Sequence, residues 1–291
     1  MSSSQGKWGN IISKYTNGTY TASDYIIYRP LATNILVKLF QNVLVGEKGL
    51  RYLVAWNIYR QLVKFTEPCM FLQGRSASDA CYEHVKKVMN LAVLSPYLQS
   101  EVQVHMVEKA KRMVSEIRST FLKALQYSSS LSINFRVAAI RKLESMKSYV
   151  GSPGRRLDPE FVEWIYKPYP DAPIDLLFPT WIRALSLSTH YIWTDQTTPL
   201  YDEARYRPYY THYFNDFTVA TANMLPPFMY PDWPIALNYG GLGTMIGHEL
   251  MHGFGVKGIQ ELEGYEAQNN DYVIKEYTNR ALCLWKSHKS V

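Results

Sequence analysis

His248-Glu249-Leu250-Met251-His252 constrains this chain more than any other stretch of it. Residues four apart on a helix lie one above the other on the same face. A helix through this segment lets His248 and His252 turn their imidazoles toward one metal ion. Glu249, next to the first of them, can then reach a water at that ion and take its proton. Leu242, Ile246 and Leu250 recur at helical spacing on roughly the opposite side. One face of the helix is therefore expected to pack and the other to coordinate. A motif this short also arises by chance, so its flanks must carry the assignment.

The flanks are informative. Leu237-Asn238-Tyr239-Gly240-Gly241-Leu242-Gly243-Thr244-Met245-Ile246-Gly247 leads into the motif and His252-Gly253-Phe254 closes it, with Met224-Leu225-Pro226-Pro227-Phe228 shortly before. This pattern resembles the neprilysin and endothelin-converting-enzyme family of zinc endopeptidases, which are of gluzincin type. Their zinc helix is introduced by Asn-Tyr/Phe-Gly-Gly-hydrophobic-Gly, preceded by Leu-x-Pro-Pro-Phe and followed by His-Gly-Phe. Cys81 to Met89 and Ala92 to Tyr97 resemble a family helix upstream, and the basic helix from Lys109 to Phe121 follows in register. Arg280-Ala281-Leu282-Cys283 resembles the cysteine-bearing helix after the zinc site. The similarity spans most of residues 20–291, more loosely before the motif than around it.

The resemblance implies a mainly α fold with a small β portion and a zincin-like (thermolysin-like) catalytic region. It implies one Zn2+ per complete catalytic domain, with His248 and His252 as ligands and Glu249 as general base toward a zinc-polarised water. The implied reaction is hydrolysis of internal bonds in peptide substrates, and the implied location is extracellular or at the cell surface. The alternative is a catalytically inactive paralogue that acts as a peptide- or protein-binding module.

Three departures from the family pattern touch the working parts. The family's third zinc ligand is a Glu in a downstream Glu-x-x-x-Asp motif, and no such motif follows His252 here. Glu261, Glu263, Glu266 and Glu276 are the available glutamates, and they read as solvated surface charges. Glu276 is the weak candidate for a substitute, with Arg280 standing where the Asp should be. Gly255 replaces the Asp that usually follows His-Gly-Phe. The substrate-holding Asn-Ala-Tyr/Phe-Tyr strand of the family appears as Arg207-Pro208-Tyr209-Tyr210. Pro208 keeps a carbonyl but fixes φ, and Arg207 donates without the acceptor an amide would add.

Composition narrows the class further. A 291-residue chain with 47% hydrophobic residues is globular. Its +6 formal charge is spread over Lys86-Lys87, Lys109, Lys111-Arg112 and Arg155-Arg156. Nucleic-acid binding would need such residues clustered in a stripe, so no nucleic-acid partner is expected. Neither a signal-peptide core nor a membrane segment of about eighteen apolar residues is visible, although the family is often membrane-anchored. Asn17-Gly18-Thr19 is a glycosylation sequon of little weight. Cys81 and Cys283 fall where the family has disulfide-bonded cysteines whose partners lie outside this sequence, and Cys69 offers Cys81 an alternative partner. The missing anchor, ligand and cysteine partners together read as a fragment, a truncated gene model or a degenerate paralogue.

The expected organisation is a poorly defined segment 1–19, a helical portion 20–154, and a zincin-like portion 155–291 truncated before the third zinc ligand. Helical spacing predicts helices over 30–45, 48–65, 77–94, 99–126 and 133–149, with shorter ones near 158–166 and 179–189. The 77–94 helix is expected to turn Cys81, Val85, Val88, Met89 and Ala92 inward and to end at Ser95-Pro96. The 99–126 helix is expected to bury Met106, Ala110, Met113, Ile117, Phe121 and Ala124. Tyr209-Tyr210-Thr211 and Phe217-Thr218-Val219, flanking Asn215-Asp216, predict a β-hairpin whose edge could pair with an extended peptide.

Overall fold

The computed structural model describes residues 9–10, 12–16, 18, 20–21, 24, 30–42, 44–67, 69, 72–102, 104–171, 176–194, 201–262 and 267–289. The helices are α1 (Pro30–Gln41), α2 (Gly46–Leu62), α3 (Ala77–Val88), α4 (Asn90–Glu101), α5 (Val104–Tyr127) and α6 (Ile133–Ser145), then strand β1 (Lys147–Val150). Next come α7 (Pro159–Tyr166), α8 (Leu177–Thr194), β2 (Tyr209–Thr211) and β3 (Asp216–Val219). The short α9 (Ile235–Asn238), a π turn (Tyr239–Gly243), α10 (Thr244–His252), α11 (Val256–Gln260) and α12 (Ala267–Lys289) complete the chain. The fold is mainly helical with few strands, as the sequence implied. Asn17 and Thr19 of the sequon, and Glu263 and Glu266, lie outside the described residues.

Contacts divide the chain into two units. The first comprises Met1–Asn90 and Ile165–Leu200. Within it Phe65, His84 and Trp181 pack as a ring cluster, centroids 5.6 to 6.1 Å apart. Ser76 starts α3 by accepting the Asp79 backbone N–H, which satisfies a donor the helix leaves open. α2 buries none of its residues, and Tyr52, Trp56 and Tyr59 are exposed.

The second unit, Leu91–Trp164 and Tyr201–Val291, is built around α5. Met106, Ala110, Met113 and Val114 of α5 share one core with Phe135, Ala139 and Leu143 of α6, Phe217 and Val219 of β3, and Leu242, Ile246 and Leu250. Arg118 on α5 donates to the carbonyls of Leu143 and Met146, both at 2.8 Å. Those carbonyls belong to the open end of α6, so the guanidinium closes that helix where the chain turns into β1.

The sheet has the order β1-β3-β2. β1 runs parallel to β3, Lys147 opposite Asp216 and Val150 opposite Val219. β2 runs antiparallel, Tyr209 opposite Thr218 and Thr211 opposite Asp216. The central strand β3 is buried throughout. The expected hairpin is present, with Asn215 in the left-handed region (φ 48°) at its turn. Asparagine tolerates that conformation better than most residues.

Several expectations are corrected. The helix predicted over 77–94 stops at Val88, where Met89 leaves helical geometry (φ −128°, ψ 49°), and a new helix runs through Pro96. Ala80 and Val88 face inward, whereas Cys81 and Val85 are exposed. On α5 Leu125 is buried in place of Ala124, while Ile117 and Phe121 are partly buried against the core. The helix predicted to reach 149 ends at Ser145, and 147–150 form β1 instead. Cys69, Cys81 and Cys283 are all exposed free thiols.

Candidate metal centre and peptide edge

The lead-in to α10 is shaped by close backbone approach. A Cβ on Gly241 would lie 2.4 Å from the Phe228 carbonyl oxygen, which accepts the Leu242 N–H at 2.9 Å. Only glycine admits that contact. The Asn238 side chain accepts from Tyr230 N–H at 2.9 Å and donates to Tyr230 carbonyl at 2.8 Å, tying the same two segments together. Leu242, Ile246 and Leu250 are at most 1% exposed, so the predicted packing stripe is the one that anchors the helix.

The opposite face carries the polar groups. His248 and His252 place their Nε2 atoms 3.0 Å apart with rings nearly perpendicular, at 89°. A carboxylate oxygen of Glu249 lies 4.0 Å from His252 Nε2, and the Glu249 side chain is only 13% exposed against 50% for His252. Burial raises the Glu249 pKa, while the two histidines, a backbone hydrogen bond from Tyr210 and the Arg205 charge pull it down. The result is a carboxylate with more proton affinity than a solvated one, as a general base needs.

The donor set suits zinc chemically and geometrically. With Zn–N bonds of about 2.0–2.1 Å, two ligands on a tetrahedral ion sit roughly 3.3 Å apart, close to the separation seen. Ligand atoms of His248, Glu249 and His252 lie within 4.8 Å of one another, and among the described residues no other carboxylate or thiol joins them. Glu276 is paired with Arg280 at 3.1 Å along α12. Glu261 is not merely solvated: it meets buried Lys142 at 3.4 Å and His212 at 3.3 Å. These two pairs border a cavity of about 750 Å³ beside the hairpin turn.

The helix stop is equally specific. A Cβ on Gly253 would come within 2.7 Å of Met146 Cε and 3.2 Å of the Tyr210 hydroxyl. Phe254 is buried and sets its ring edge-on to Phe121, 4.9 Å between centroids. The glycine thus lets β2 and the start of β1 close on α10, and the phenylalanine fixes the turn in the core.

β2 is an outer strand and packs against α10. The Tyr210 hydroxyl donates to Asn215 Oδ1 at 2.8 Å. Burial, with the Glu261 and Asp216 charges, pushes that phenol up to about 12. Tyr209 carries the Arg205 guanidinium 3.7 Å above its ring. Pro208 is buried, while Arg207 is exposed and reaches 5.3 Å from the Tyr206 ring. The structure therefore brings Tyr209 and Tyr210 beside the zinc-type helix and leaves Arg207 exposed. Arg205 and the Lys142–Glu261–His212 group escaped the sequence reading, since no motif or spacing marks either.

The approach to β2 is held by a buried ion pair. Arg156 meets Glu203 at 2.5 and 3.2 Å and donates to the Tyr201 carbonyl at 3.1 Å. Glu203 is fully buried, and burial raises its pKa against the pull of Arg156. Asn223 donates to the Arg205 carbonyl at 2.9 Å.

The site is a His-Glu-x-x-His helix in a mainly helical, zincin-like fold, beside a strand whose outer edge has no partner strand among the described residues. Residues 208–291 match the model of peptidase family M13, and the chain is similar to members of the neprilysin and endothelin-converting-enzyme family. It is 24% identical to Neprilysin-2 of Caenorhabditis elegans over 219 residues, which cover 72% of this chain and 30% of that protein. It is 23% identical to an endothelin-converting enzyme homolog of Locusta migratoria over 296 residues, 96% of this chain and 37% of that one. Among solved structures, PepO from Lactobacillus rhamnosis superposes with a TM-score of 0.54 at 22% identity, covering 69% of this chain and 33% of PepO. A Haemonchus galactose-containing glycoprotein complex gives 0.61 at 18% identity, covering 91% and 42%. These two likenesses show the fold. The chain spans about a third of the length of the curated relatives it matches.

Proposed function

We propose that α10 and β2 form the peptide-cleaving centre of a zinc-dependent endopeptidase, with His248 and His252 as metal ligands. The observation that carries this reading is the pair of facing Nε2 atoms, with a half-buried carboxylate beside them and, alongside, a strand edge that has no partner strand among the described residues. Held by His248 and His252, a zinc ion would supply Lewis-acid polarisation of a scissile carbonyl and acidification of water. Glu249 takes the proton of the attacking water and passes it to the leaving amine. A peptide lies extended against β2 and forms main-chain hydrogen bonds with its outer edge. Pro208 supplies no N–H there, and the Tyr210 N–H already donates to Glu249, so strand carbonyls carry the pairing.

Peptide substrates at the cell surface or outside the cell fit this reading, by likeness to the family. No described helix is long and apolar enough to cross a membrane. Glu276 remains a weak candidate ligand only, since its carboxylate is engaged by Arg280.

A second reading, a peptide-binding module without turnover, is favoured by the absence of any carboxylate other than Glu249 from the histidine group among the described residues. A quenched fluorescent peptide incubated with zinc-loaded protein separates the two. Cleavage that Glu249→Gln abolishes, with peptide still bound, supports the endopeptidase. Binding without cleavage by the unaltered protein supports the module.

A further inference from the structure

We propose that Arg205, stacked on Tyr209, is a specificity-determining residue that selects an acidic side chain in a peptide paired with β2. The inference rests on β2 being the peptide edge, and it adds which peptides that edge prefers. The Arg205 guanidinium lies 3.7 Å above the Tyr209 ring, within the range of a strong cation–π contact. Its backbone is pinned as well, because Asn223 holds its carbonyl and its N–H bonds to Asp202 carbonyl at 3.1 Å. Among the described residues no carboxylate forms an ion pair with it: Glu249 feels its charge without a direct bridge, and the nearby Glu203 is committed to Arg156. Stacking uses the face of a guanidinium and leaves its edge N–H donors open to a carboxylate.

Strand geometry then says which substrate residue is read. Successive side chains on a strand alternate between faces. Tyr210 turns into the core, where its ring packs and its hydroxyl meets Asn215, so Tyr209 looks to the other face with Arg205 on it. A peptide added to the β2 edge places a side chain beside Tyr209 on that face, at cross-strand contact distance. A Glu or Asp there meets a fixed cation and an aromatic ring. A Lys there meets Arg205, with exposed Arg207 close by in sequence, and is repelled. Selection of this kind acts by attraction to one class and repulsion of the other.

The test uses three labelled peptides that are identical except for Glu, Gln or Lys at one position in an extended apolar sequence, scanned along its length. Anisotropy with the zinc-loaded chain measures affinity. At one scan position the order should be Glu over Gln over Lys, with about three- to five-fold between the first two, the range of an exposed ion pair. That gap should shrink in high salt. Arg205→Gln should level the series, and Arg205→Lys should keep the order with a smaller gap, because charge remains without the stack. Equal affinity for Glu and Gln peptides at every position, or a preference that survives Arg205→Gln, overturns the assignment and leaves the peptide edge standing. No binding of any peptide overturns the peptide edge, and this assignment with it.

Discussion

At the scale of single residues, Glu249 and the buried tyrosines make separable predictions. Glu249→Gln keeps shape and hydrogen bonding but removes the base, so peptide turnover should fall by about a hundred-fold or more, while His248 and His252 retain their donors. A turnover number unchanged in this variant, measured at saturating peptide, would remove Glu249 from the mechanism. Tyr210 supplies a pH dependence. Its phenol is pushed up to about 12 in the folded chain, against an ordinary value of about 10 when unfolded. The folded state therefore holds a proton that the unfolded state releases. Stability from this group is complete below pH 10 and is lost as pH rises toward 12. Tyr201, buried with its hydroxyl 2.7 Å from the Gly151 carbonyl, is raised in the same direction. Urea unfolding at pH 8 and pH 11 should show a smaller loss for Tyr210→Phe than for the unaltered chain; equal losses would contradict the shift. Glu203→Gln would leave Arg156 buried without its charge partner, at a cost of about 3–5 kcal/mol, readable as a drop in urea midpoint.

At the scale of elements, the helix α10 was legible because periodicity and motif agree on it. Leu242, Ile246 and Leu250 repeat at helical spacing and are buried, and the two histidines fall on the exposed face. The hairpin was legible for a similar reason, a polar Asn215-Asp216 between two short β-forming runs. Other boundaries carried no local signal. Met89 breaks the run from α3 into α4 without a glycine or proline to announce it. β1 is four residues long and parallel to a strand far along the chain, so tertiary pairing overrides the helical pattern that precedes it. The glycines before α10 were read as a family signature, and the structure supplies their physical reason at one position. Gly241→Ala should destabilise by about 1–3 kcal/mol, the usual cost of forcing a group into occupied space. Gly240→Ala, with nothing within 4 Å of its added methyl, is the control and should be close to neutral. Comparable losses for both in thermal unfolding would mean that backbone approach to Phe228 is not what the motif preserves.

At the scale of the whole molecule, the second unit combines one core with one polar face of α10, and the chemistry follows from that division. The family was legible from a handful of residues around the motif. The Lys142–Glu261–His212 arrangement was not, since its segments meet only in the folded chain; the Arg205–Tyr209 stack is local but no motif marks it. Exposed Trp56 on α2 and Leu284 and Trp285 on α12 add a colloidal consequence. Apolar surface of this kind promotes association, so light scattering should show mass rising with concentration, and Trp285→Ser with Leu284→Ser should reduce it. The central claim is that His248 and His252 together hold a metal ion. Zinc titration of the purified chain by calorimetry tests it most directly. The account predicts one zinc per chain, held more weakly than by the usual three protein ligands, lost in His248→Ala and in His252→Ala, and kept in Glu249→Gln and Glu276→Gln. Zinc binding that survives both histidine substitutions, or no binding by the unaltered chain, would contradict it.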